Sequence, residues 1–554
     1  MVKLETNFKV LKELIGKNIS LKELEDTLFD LGMELEESDG DEIKIDITSE
    51  RADMVSTQGL ARVLRAYFGV KNPVYKSAKS SYEVVVDKSV KSVRPHTCCA
   101  VIKNLSLSDE NIKEIIWTQE KIHDTFGRNR KKVAIGLYPM ESIKFPITFR
   151  ADKPEKIKFR PLDFDKELNG KDIVLKTQSG KSYGFLLEGL KEYPYFIDAN
   201  NNILSMPPLI NSYDSGRVTK DTKDIFIECS GHDFDALSKT LNILVYMFKD
   251  MGGDIFETTL VFGDKKVISP NLLAEKRSIS TSYINEVTGL SLSAKECGVL
   301  LEKMMHNVLE VKKDEIVFEV LPIRTDVWHD VDIVDDVVRA FGVNNIEPEL
   351  PRVASYANVL VENKIKNQVV SIMSGLGFNE VFTLLLTDKK DQYERMDLDV
   401  KNQDFMKLGH SAESSINMVR TWLLPETLKA VYYNRNKSLP LKIFEVNEVV
   451  LPDSSKDVLS KTKNKMSCLI CDDAVSFTDI KGVLDNLLLV FGKEFDLSVK
   501  DFEFFIKGRS ASIVFNGKEV GFIGEVSPSV LSNWDIKYPI SCFELDLDEL
   551  FSIN

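Results

Sequence analysis

The sequence contains few of the residues from which the commonest catalytic and metal sites are built. Its seven cysteines and six histidines are scattered along 554 residues, so neither a secreted disulfide framework nor a Cys/His zinc site is indicated. Cys468 and Cys471 have zinc-ligand spacing, but no second pair accompanies them, and a strand would direct the two thiols to opposite faces. The motifs HExxH, GxSxG, GxxxxGK(S/T) and GxGxxG are also missing, which leaves many common enzyme classes without support.

Long apolar runs and an excess of positive charge are missing as well. No stretch reaches about 18 apolar residues and the N-terminus is rich in charges, so we expect no membrane span, no signal peptide and a cytoplasmic location. Lys and Arg total 72 against 86 Asp and Glu, a net charge of −14. The chain as a whole is therefore not a sequence-blind polyanion binder, and any nucleic-acid contact must be local or shared with a partner.

An ordinary globular composition and an internal repeat are present instead. A length of 554 residues with 43% hydrophobic residues predicts about three to five domains with sizeable cores. Shifted by 273 positions (289 − 16), residues 16–72 align with residues 289–345 without a gap, and Arg51 and Asp53 match Arg324 and Asp326. Each copy has a helix, a strand, an Arg-x-Asp turn and a helix ending at Phe-Gly, so we predict two duplicated α+β modules, residues 1–75 and 270–347.

The rest of the chain is divided into a central and a C-terminal domain. Residues 80–265 alternate short β-rich runs with Pro, Gly, Asn and Asp turns and with helical stretches, which indicates a separate α+β domain. Residues 348–554 follow a Pro-containing segment, and their strands and helices predict one large antiparallel sheet flanked by helices. The predicted fold class is therefore α+β and multidomain.

The second module carries the densest group of acids. Asp332, Asp335 and Asp336 stand at i, i+3 and i+4, so a helix would place them on one side, with Asp326 entering from the preceding turn. Several carboxylates without Cys or paired His favour a hard ion such as Mg²⁺. The alternative is that these acids only complement a helix dipole, with Asp330 as N-cap. The first module keeps Asp53 at the position of Asp326, but the positions of Asp332, Asp335 and Asp336 hold no acid there, which favours a functional, ligand-shared site: they are Gly59, Arg62 and Val63.

The central domain offers a candidate pocket and a basic run. Residues 204–212 are apolar with a polar end at Asn211 and Ser212, and two prolines stiffen the backbone, so this segment is suited to wall a pocket. A strand and a Gly turn follow and carry His232 and Asp233, which are suited to orienting water or a polar substrate. The alternative is that Asp233 caps a helix beginning near Phe234. Residues 128–132, RNRKK, are suited to phosphate contact or else form a solvated surface.

Along essentially its whole length the sequence resembles one family, the β subunit of phenylalanine–tRNA ligase in its shorter archaeal and eukaryotic form. The central domain contributes ILSMPPLIN and TKDIFIECSGHDF, and the second module IRTDVWHDVDIVDDVVRAFGVNNIEP. The C-terminal domain contributes MVRTWLLPETLKAVYYNRN, LKIFEVNEVV, SFTDIKGVLDNLL and IGEVSPSVL, in the order of the family.

The resemblance implies an (αβ)₂ enzyme that attaches phenylalanine to its tRNA, with the ATP and phenylalanine site on the α subunit. This chain would supply a tRNA-binding, editing-like domain of B3/B4 type, a B5-type acid module and a class II synthetase-like domain without catalytic motifs. The family's magnesium-binding acids fall on Asp326, Asp332, Asp335 and Asp336. Its editing pocket, which hydrolyses tyrosine wrongly attached to the tRNA, falls on residues 204–212, with Asn211 and Ser212, and on Asp233. Phenylalanine and tyrosine differ by one hydroxyl, and a polar pocket can select for that hydroxyl far better than an apolar pocket can reject it.

The sequence departs from the family at two places in this editing-like domain. The pattern Gly-Thr-Asp-Phe-Thr is Gly231-His232-Asp233-Phe234-Asp235, and a His-Asp pair common after the Ala-Ile-Gly strand is replaced at residues 137–140. We predict a β subunit that is inactive in aminoacylation without α. Two alternatives remain: a free-standing deacylase of mischarged tRNA, which would not need the long C-terminal domain, and a non-enzymatic assembly scaffold, which would not need acids in one module only.

Overall fold

The computed structural model describes residues 2–411 and 413–552 of the chain. The chain forms two compact units, Met1–Leu350 and Pro351–Asn554. Each unit contains both helices and sheets, so the predicted mixed α+β, multidomain fold is confirmed. Among the described residues, none of the helices combines the length and the apolar character needed to cross a membrane.

The first unit begins with a module of one three-stranded sheet and three helices. In chain order its elements are β1 (Val2–Asn7), α1 (Phe8–Ile15), α2 (Leu21–Asp30), β2 (Glu34–Asp39), β3 (Glu42–Ile47) and α3 (Thr57–Tyr67). The strands pair antiparallel in the order β1-β3-β2. Helix α1 ends at Gly16 because φ is +73° there, a conformation that glycine adopts without strain. Helix α2 begins at Ser20, whose hydroxyl and the Glu23 carboxylate form a capping box.

The central part of the first unit contains two large sheets. Its elements in chain order are β4 (Ser77–Ala78), β5 (Glu83–Val86), β6 (His96–Lys103), α4 (Asp109–Asp124), β7 (Val133–Pro139), β8 (Ile147–Asp152), β9 (Lys158–Phe159), β10 (Leu168–Asn169), α5 (Gly170–Lys176), α6 (Gln178–Tyr183), β11 (Tyr193–Ile197), β12 (Ile203–Met206), β13 (Ile210–Asn211), β14 (Ile225–Gly231), α7 (Phe234–Asp250), β15 (Asp254–Phe256), β16 (Thr258–Phe262) and β17 (Lys265–Ser269). One sheet has the order β4-β15-β6-β14-β7 and the other β13-β12-β11-β8-β5-β16-β17, while β9 and β10 pair separately.

Strand β14 determines which side chains reach the space between the two sheets. All seven of its residues are buried, so both faces are covered. Ile225, Ile227 and Cys229 lie in the core shared with helix α7. Because successive side chains of a strand alternate, Phe226 and Glu228 point to the opposite face, and Phe226 packs there against residues of the seven-stranded sheet. Glu228 is thereby placed in the interior as the one charged residue of this strand.

A second module repeats the architecture of the first. Its elements are β18 (Glu275–Ser280), α8 (Thr281–Thr288), α9 (Ala294–Lys303), β19 (Asn307–Val311), β20 (Glu315–Val320) and α10 (Asp330–Phe341). The strand order β18-β20-β19 matches β1-β3-β2, and Gly289 ends α8 with φ +73°, as Gly16 ends α1. In the structure the repeat also includes β1 and β18, which pair with β3 and β20 in the same register. The sequence alignment begins later because these two strands share little sequence.

The second unit is built on one seven-stranded sheet. Its elements are α11 (Val361–Gly375), β21 (Asn379–Glu380), β22 (Leu386–Thr387), α12 (Lys389–Gln392), β23 (Met418–Val419), α13 (Leu424–Asn434), β24 (Leu441–Pro452), β25 (Ser460–Cys471), α14 (Phe477–Val490), β26 (Asp496–Val499), β27 (Phe505–Phe515), β28 (Lys518–Val526), α15 (Pro528–Asn533), β29 (Ile540–Asp546) and α16 (Leu547–Phe551). The strand order is β21-β24-β25-β29-β28-β27-β26, antiparallel except for the parallel pair of β21 and β24.

Two cores cover the two faces of this sheet. Cys468 lies in the core formed with α11 and α14, and Cys471 lies in the core formed with α13. The prediction that a strand directs these two thiols to opposite faces is thus confirmed. Both are buried free thiols.

Candidate functional site

A cavity of about 330 Å³ lies in the central part of the first unit, between helix α4 and strands of both sheets. This volume is at the small end of ligand pockets, which span roughly 300–1,000 Å³. Most of the wall is apolar, and Pro207 and Pro208 belong to it, as the sequence predicted for a pocket wall. The other apolar wall residues include Ile112, Ile115 and Ile116 of α4, Ile135 and Leu137 of β7, and Leu209 and Ile210 beside the prolines.

Glu228 supplies a buried carboxyl group to this cavity, whose charged lining residues also include Glu120, Arg130, Asp163 and Arg217. The residue is only 1% exposed. Tyr138 Oη donates to Glu228 Oε1 at 3.2 Å, whereas Oε2 is buried and has no hydrogen-bond partner among the described residues. Burial raises the pKa of Glu228 to about 8, although the positive charge of Arg94 opposes this increase. The carboxyl group is therefore mostly protonated at neutral pH.

Small and polar residues complete the environment of Glu228. Asn211 and Ser205 line the cavity, and Tyr138 Oη lies 3.4 Å from Asn211 Oδ1. Gly136 is required next to them, because a Cβ atom there would collide with Tyr138 Oη and Glu228 Oε1. The end of the cavity at Glu228 therefore combines a carboxyl group, an amide and two hydroxyls.

The residues predicted to form an editing site lie at different distances from the cavity. Asn211 lines it, but Ser212 is the next residue along and is not part of the lining. The backbone of Ser212 is used structurally, because its N–H donates to Leu204 O at 2.7 Å and its carbonyl accepts from Gly216 N at 2.8 Å. The site roles predicted for Asn211 and Ser212 stay predictions.

Asp233 is the N-cap of helix α7, and it does not line the cavity. Its Oδ1 accepts from the N–H groups of Asp235 at 3.1 Å and Ala236 at 3.2 Å, and Lys132 Nζ lies 3.5 Å from Oδ2. The capping alternative for Asp233 is therefore confirmed. The catalytic role of Asp233 stays a prediction. Its side chain caps the helix and is half-exposed.

Sequence reasoning missed Glu228. The signal that points to it is one acid inside the apolar run IFIECSG of β14. A charged residue is almost never fully buried in a strand without a partner or a task.

The four predicted metal ligands line a second cavity of about 390 Å³, together with Glu50 and Arg51 of the first module. The lining acids are Asp326, Asp332, Asp335 and Asp336. The structure thus brings the predicted set together. Each of these four carboxylates also accepts a hydrogen bond from another group of the protein.

Arg324 joins two of these acids. Its Nε and Nη2 donate to the two oxygens of Asp326 at 2.8 and 2.7 Å, and Nη2 also donates to Asp336 Oδ2 at 2.8 Å. His306 Nε2 donates to the same Asp336 oxygen at 2.7 Å. Although burial alone would raise it, the charge of Arg324 and the bond from His306 hold the pKa of Asp336 far below its usual range.

Asp332 and Asp335, like Asp336, belong to helix α10. Asp332 accepts from the N–H groups of Trp328 and His329, each at 2.7 Å, and so closes the first turn. The N-cap is His329, and the expectation that Asp330 takes this position is wrong, because the helix starts one residue earlier than that expectation requires. Asp335 pairs with Arg339 Nε at 2.7 Å and is 57% exposed.

These contacts determine which of the four acids have an oxygen left for a cation. Within residues 2–411 and 413–552, no group of three or more His, Cys, Asp and Glu side chains is arranged to hold a metal ion. The buried Arg324 pairs with both Asp326 and Asp336, whereas the contacts above use one oxygen of Asp332 and one of Asp335. Mg²⁺ usually keeps several waters and takes one or two carboxylates, so an ion bound here would use Asp332 and Asp335 rather than the two acids paired with Arg324.

Comparison with known families identifies the class of protein. Residues 277–343 match the family model described as tRNA synthetase B5 domain, and residues 346–547 match the one described as phenylalanyl tRNA synthetase beta chain CLM domain. These two parts of the chain are thus similar to domains of aminoacyl-tRNA synthetases.

Full-length relatives define the family more closely. The chain is 34% identical over 570 residues to the phenylalanine–tRNA ligase beta subunit of Thermococcus onnurineus (strain NA1), covering 100% of this chain and 99% of the relative. It is 35% identical over 555 residues to that of Methanocella arvoryzae, covering 99% and 100%. The chain belongs to the phenylalanine–tRNA ligase beta-subunit family. An N-terminal fragment of the Pyrococcus horikoshii beta subunit, known from a crystal structure, is similar with a TM-score of 0.59 at 34% identity, covering 61% of this chain and 99% of the fragment.

Proposed function

We propose that the chain acts in the cytoplasm as the β subunit of an (αβ)₂ phenylalanine–tRNA ligase. The α subunit binds ATP and phenylalanine, and the complex attaches phenylalanine to its tRNA. The match over the whole length of relatives with this assignment supports the proposal. The match of residues 346–547 to a beta-chain domain also supports it, since a free-standing deacylase would not need that domain.

The proposal divides the chain into four domains. Residues 1–75 and 270–347 are the duplicated modules, residues 80–265 are the editing-like domain, and residues 348–554 are a class II synthetase-like domain without catalytic motifs. The common strand order of the two modules supports the first part of this division. The antiparallel core of the seven-stranded sheet supports the last part.

The cavity at Glu228 is proposed to hydrolyse tyrosine from mischarged tRNA. The observation that supports it is the buried carboxyl group of Glu228, one oxygen of which has no hydrogen-bond partner among the described residues, in a cavity with a mostly apolar wall. The aromatic ring of either amino acid suits the apolar wall, but only tyrosine brings a hydroxyl that can pair with Glu228 Oε2. Phenylalanine would leave that oxygen unpaired. Sites built to bond a hydroxyl discriminate by about 10⁴ to 10⁵ against the analogue that lacks it.

The residues around Glu228 have supporting roles in this proposal. Asn211 stands beside the hydroxyl position. Ser212 holds the wall through its backbone bonds to Leu204 and Gly216. Asp233 acts from the start of α7, outside the cavity lining.

Deacylation of Tyr-tRNA by the αβ complex tests the role of Glu228. We expect Glu228→Ala to lower kcat/KM for Tyr-tRNA about 10- to 100-fold, because the loss of a hydrogen bond to a buried carboxyl is worth roughly 1.5–3 kcal/mol. The exposed Glu188 offers a matched control, and Glu188→Ala should hydrolyse Tyr-tRNA as the parent chain does. An unchanged rate for Glu228→Ala would refute the assignment.

We also propose that Mg²⁺ binds at the acid cavity in the assembled ligase, through Asp332 and Asp335 and next to Asp326 and Asp336. The bound ion would supply positive charge to a cavity lined by four carboxylates. Calorimetric titration of the complex with Mg²⁺ tests this without a readout of activity. We expect Asp332→Asn and Asp335→Asn each to weaken binding, whereas Asp330→Asn, an exposed acid of the same helix outside the cavity lining, should not. Equal binding by all three variants would contradict the site.

A further inference from the structure

We propose that Arg130 is a positioning residue of the editing-like cavity, holding its Pro-Pro wall at a fixed distance from helix α4. This inference rests on the proposed hydrolysis of Tyr-tRNA only for its effect on rate. The clamp itself is a structural claim that can be measured separately.

The Arg130 guanidinium group contacts three segments of the chain: the Pro-Pro wall, helix α4 and the end of helix α6. Nη1 donates to Leu209 O at 2.7 Å and to Pro208 O at 3.4 Å. Nη2 donates to both carboxylate oxygens of Glu120 on α4, at 2.9 and 3.0 Å. The planar group also lies over the ring of Tyr183 at the end of α6, 4.3 Å from its centroid. A rigid fork of this kind suits several acceptors at once.

The backbone around Arg130 is held in a strained conformation. Arg128, Asn129 and Arg130 have φ values of +50°, +52° and +64°, three consecutive non-glycine residues in the left-handed region. Residues with a side chain disfavour this region, and such strain persists only where the surroundings enforce it, often at functional sites. Here the turn is enforced by bonds from Arg130 N to His123 O at 3.1 Å and from Lys132 N to Gly127 O at 2.8 Å.

Glu120, the anchor of the clamp on α4, is itself oriented by a second contact. His123 Nδ1 donates to Glu120 Oε1 at 3.2 Å, and His123 Nε2 accepts from the N–H of Ile135 in β7 at 2.8 Å. Although burial would raise it, the contacts with His123 and Arg130 lower the pKa of Glu120 to about 2. The carboxylate is therefore charged, and the ion pair is present, throughout the physiological pH range.

The wall that Arg130 holds is the tip of a hairpin at the edge of a sheet. Strands β12 and β13 pair through Ser205 with Asn211 and Met206 with Ile210, and β13 is the edge strand. The tip consists of residues 207–209, and its two prolines cannot donate backbone hydrogen bonds. Leu209 N bonds within the turn, to Met206 O, so the contacts of Arg130 fasten the tip to a different element.

Loss of the clamp should affect the chemical step more than tRNA binding. The tip and α4 both line the cavity, so their separation affects how the amino-acid ring sits. A displacement of about 1 Å in a reacting group can cost roughly 100-fold in rate. Contacts that the complex makes with tRNA outside the cavity should be unchanged by this displacement.

Kinetics of the αβ complex give the first test. We expect Arg130→Ala to lower kcat for Tyr-tRNA about 10- to 100-fold with KM within about twofold, and millimolar guanidinium ion to restore part of kcat. Arg130→Lys should stay impaired, since one ammonium group cannot reach acceptors on two sides. Arg128→Ala, an exposed residue of the same turn, is the control and should match the parent. An unchanged kcat for Arg130→Ala overturns the effect on rate.

Hydrogen exchange of residues 204–212 in the same complex, without substrate, gives the second test. Arg130→Ala should exchange faster than Arg128→Ala at Leu209, Ile210 and Asn211. Glu120→Gln keeps the shape of the side chain but removes its charge, so it should raise the exchange rate by less than Arg130→Ala does. This variant replaces Arg130→Ala in the test if Arg130→Ala does not fold. Faster exchange in a complex that never hydrolyses Tyr-tRNA would support the clamp and refute the proposed function, whereas equal exchange in all variants would overturn the clamp.

Discussion

Glu228 links the stability of the first unit to pH. Burial raises its pKa from 4.5 to about 8, so between these values the folded chain binds more protons than the unfolded chain. The free energy of unfolding therefore falls as the pH rises from about 4.5 to about 8 and loses no more from this group above that range. Glu228→Gln removes the titration. We expect the variant to match the parent near pH 4.5 and to be more stable by roughly 4 kcal/mol at pH 9.

Urea unfolding at these two pH values measures the effect of Glu228→Gln. The control is Glu188→Gln, whose carboxyl group is exposed. A stability difference between Glu228→Gln and the parent that is the same at both pH values would contradict the raised pKa.

Asp233 allows its capping role to be separated from catalysis, because asparagine caps helices as well as aspartate does. We expect Asp233→Ala to lower the free energy of unfolding by about 1 kcal/mol and Asp233→Asn to leave it within a few tenths. Thermal unfolding measures both. If Asp233→Asn keeps its stability but loses Tyr-tRNA hydrolysis, the carboxylate takes part in editing; if hydrolysis is unchanged, Asp233 serves as a cap only.

The contrast between Pro207 and Glu228 shows which site residues a sequence can reveal. The stiff backbone of Pro207 and Pro208 is a local property, so a wall could be predicted from nine consecutive residues. The role of Glu228 depends on the pairing of β14 with β7 and on helix α4, about 100 residues earlier in the chain. That arrangement is a consequence of tertiary packing, and only the unusual acid in an apolar strand hints at it.

At the scale of elements, the two modules show how one architecture acquires different contacts. Arg62 of α3 occupies the position of Asp335 of α10, and it pairs with Asp250 of α7 at 2.6 Å. Its guanidinium group also lies 5.3 Å from the ring centroids of both Tyr75 and Tyr246. The helix that carries acids in the second module thus anchors the central part of the unit in the first. The repeat could be predicted because glycine and capping residues are local signals, whereas this anchor depends on a residue 188 positions away.

Asp336 fastens helix α10 to the rest of the second module through Arg324 and His306. Removal of one partner from a buried ion pair leaves the other charge uncompensated, at a cost of roughly 3–5 kcal/mol. We expect Asp336→Asn to lower the free energy of unfolding of the first unit by about 3 kcal/mol, measured by urea unfolding with a chelator present. Asp330→Asn, on the exposed side of the same helix, is the control and should change it by less than about 0.5 kcal/mol. A loss below about 1 kcal/mol for Asp336→Asn would show that the network contributes little.

At the scale of the whole molecule, the charge of the chain bears on its partnership. A net charge of −14 disfavours tRNA binding at long range, so tRNA contact of this chain has to be local or shared with a partner. We expect the proposed α subunit to supply most of the positive surface as well as the ATP and phenylalanine site.

Co-expression with the α subunit of the same genome tests this partnership. We expect native mass spectrometry to show two copies of this 62.8 kDa chain with two α chains, and phenylalanine charging of tRNA by the complex but by neither chain alone. Because α is expected to bring the basic surface, the complex should also bind tRNA at least tenfold more tightly than this chain alone, with a steeper salt dependence. The control is the complex with Glu228→Ala, which should charge tRNA normally, since the cavity lies outside the synthetic site. Charging of tRNA by the isolated chain would contradict the placement of the synthetic site on α. A chain that does not bind α would favour the free-standing deacylase or the scaffold instead.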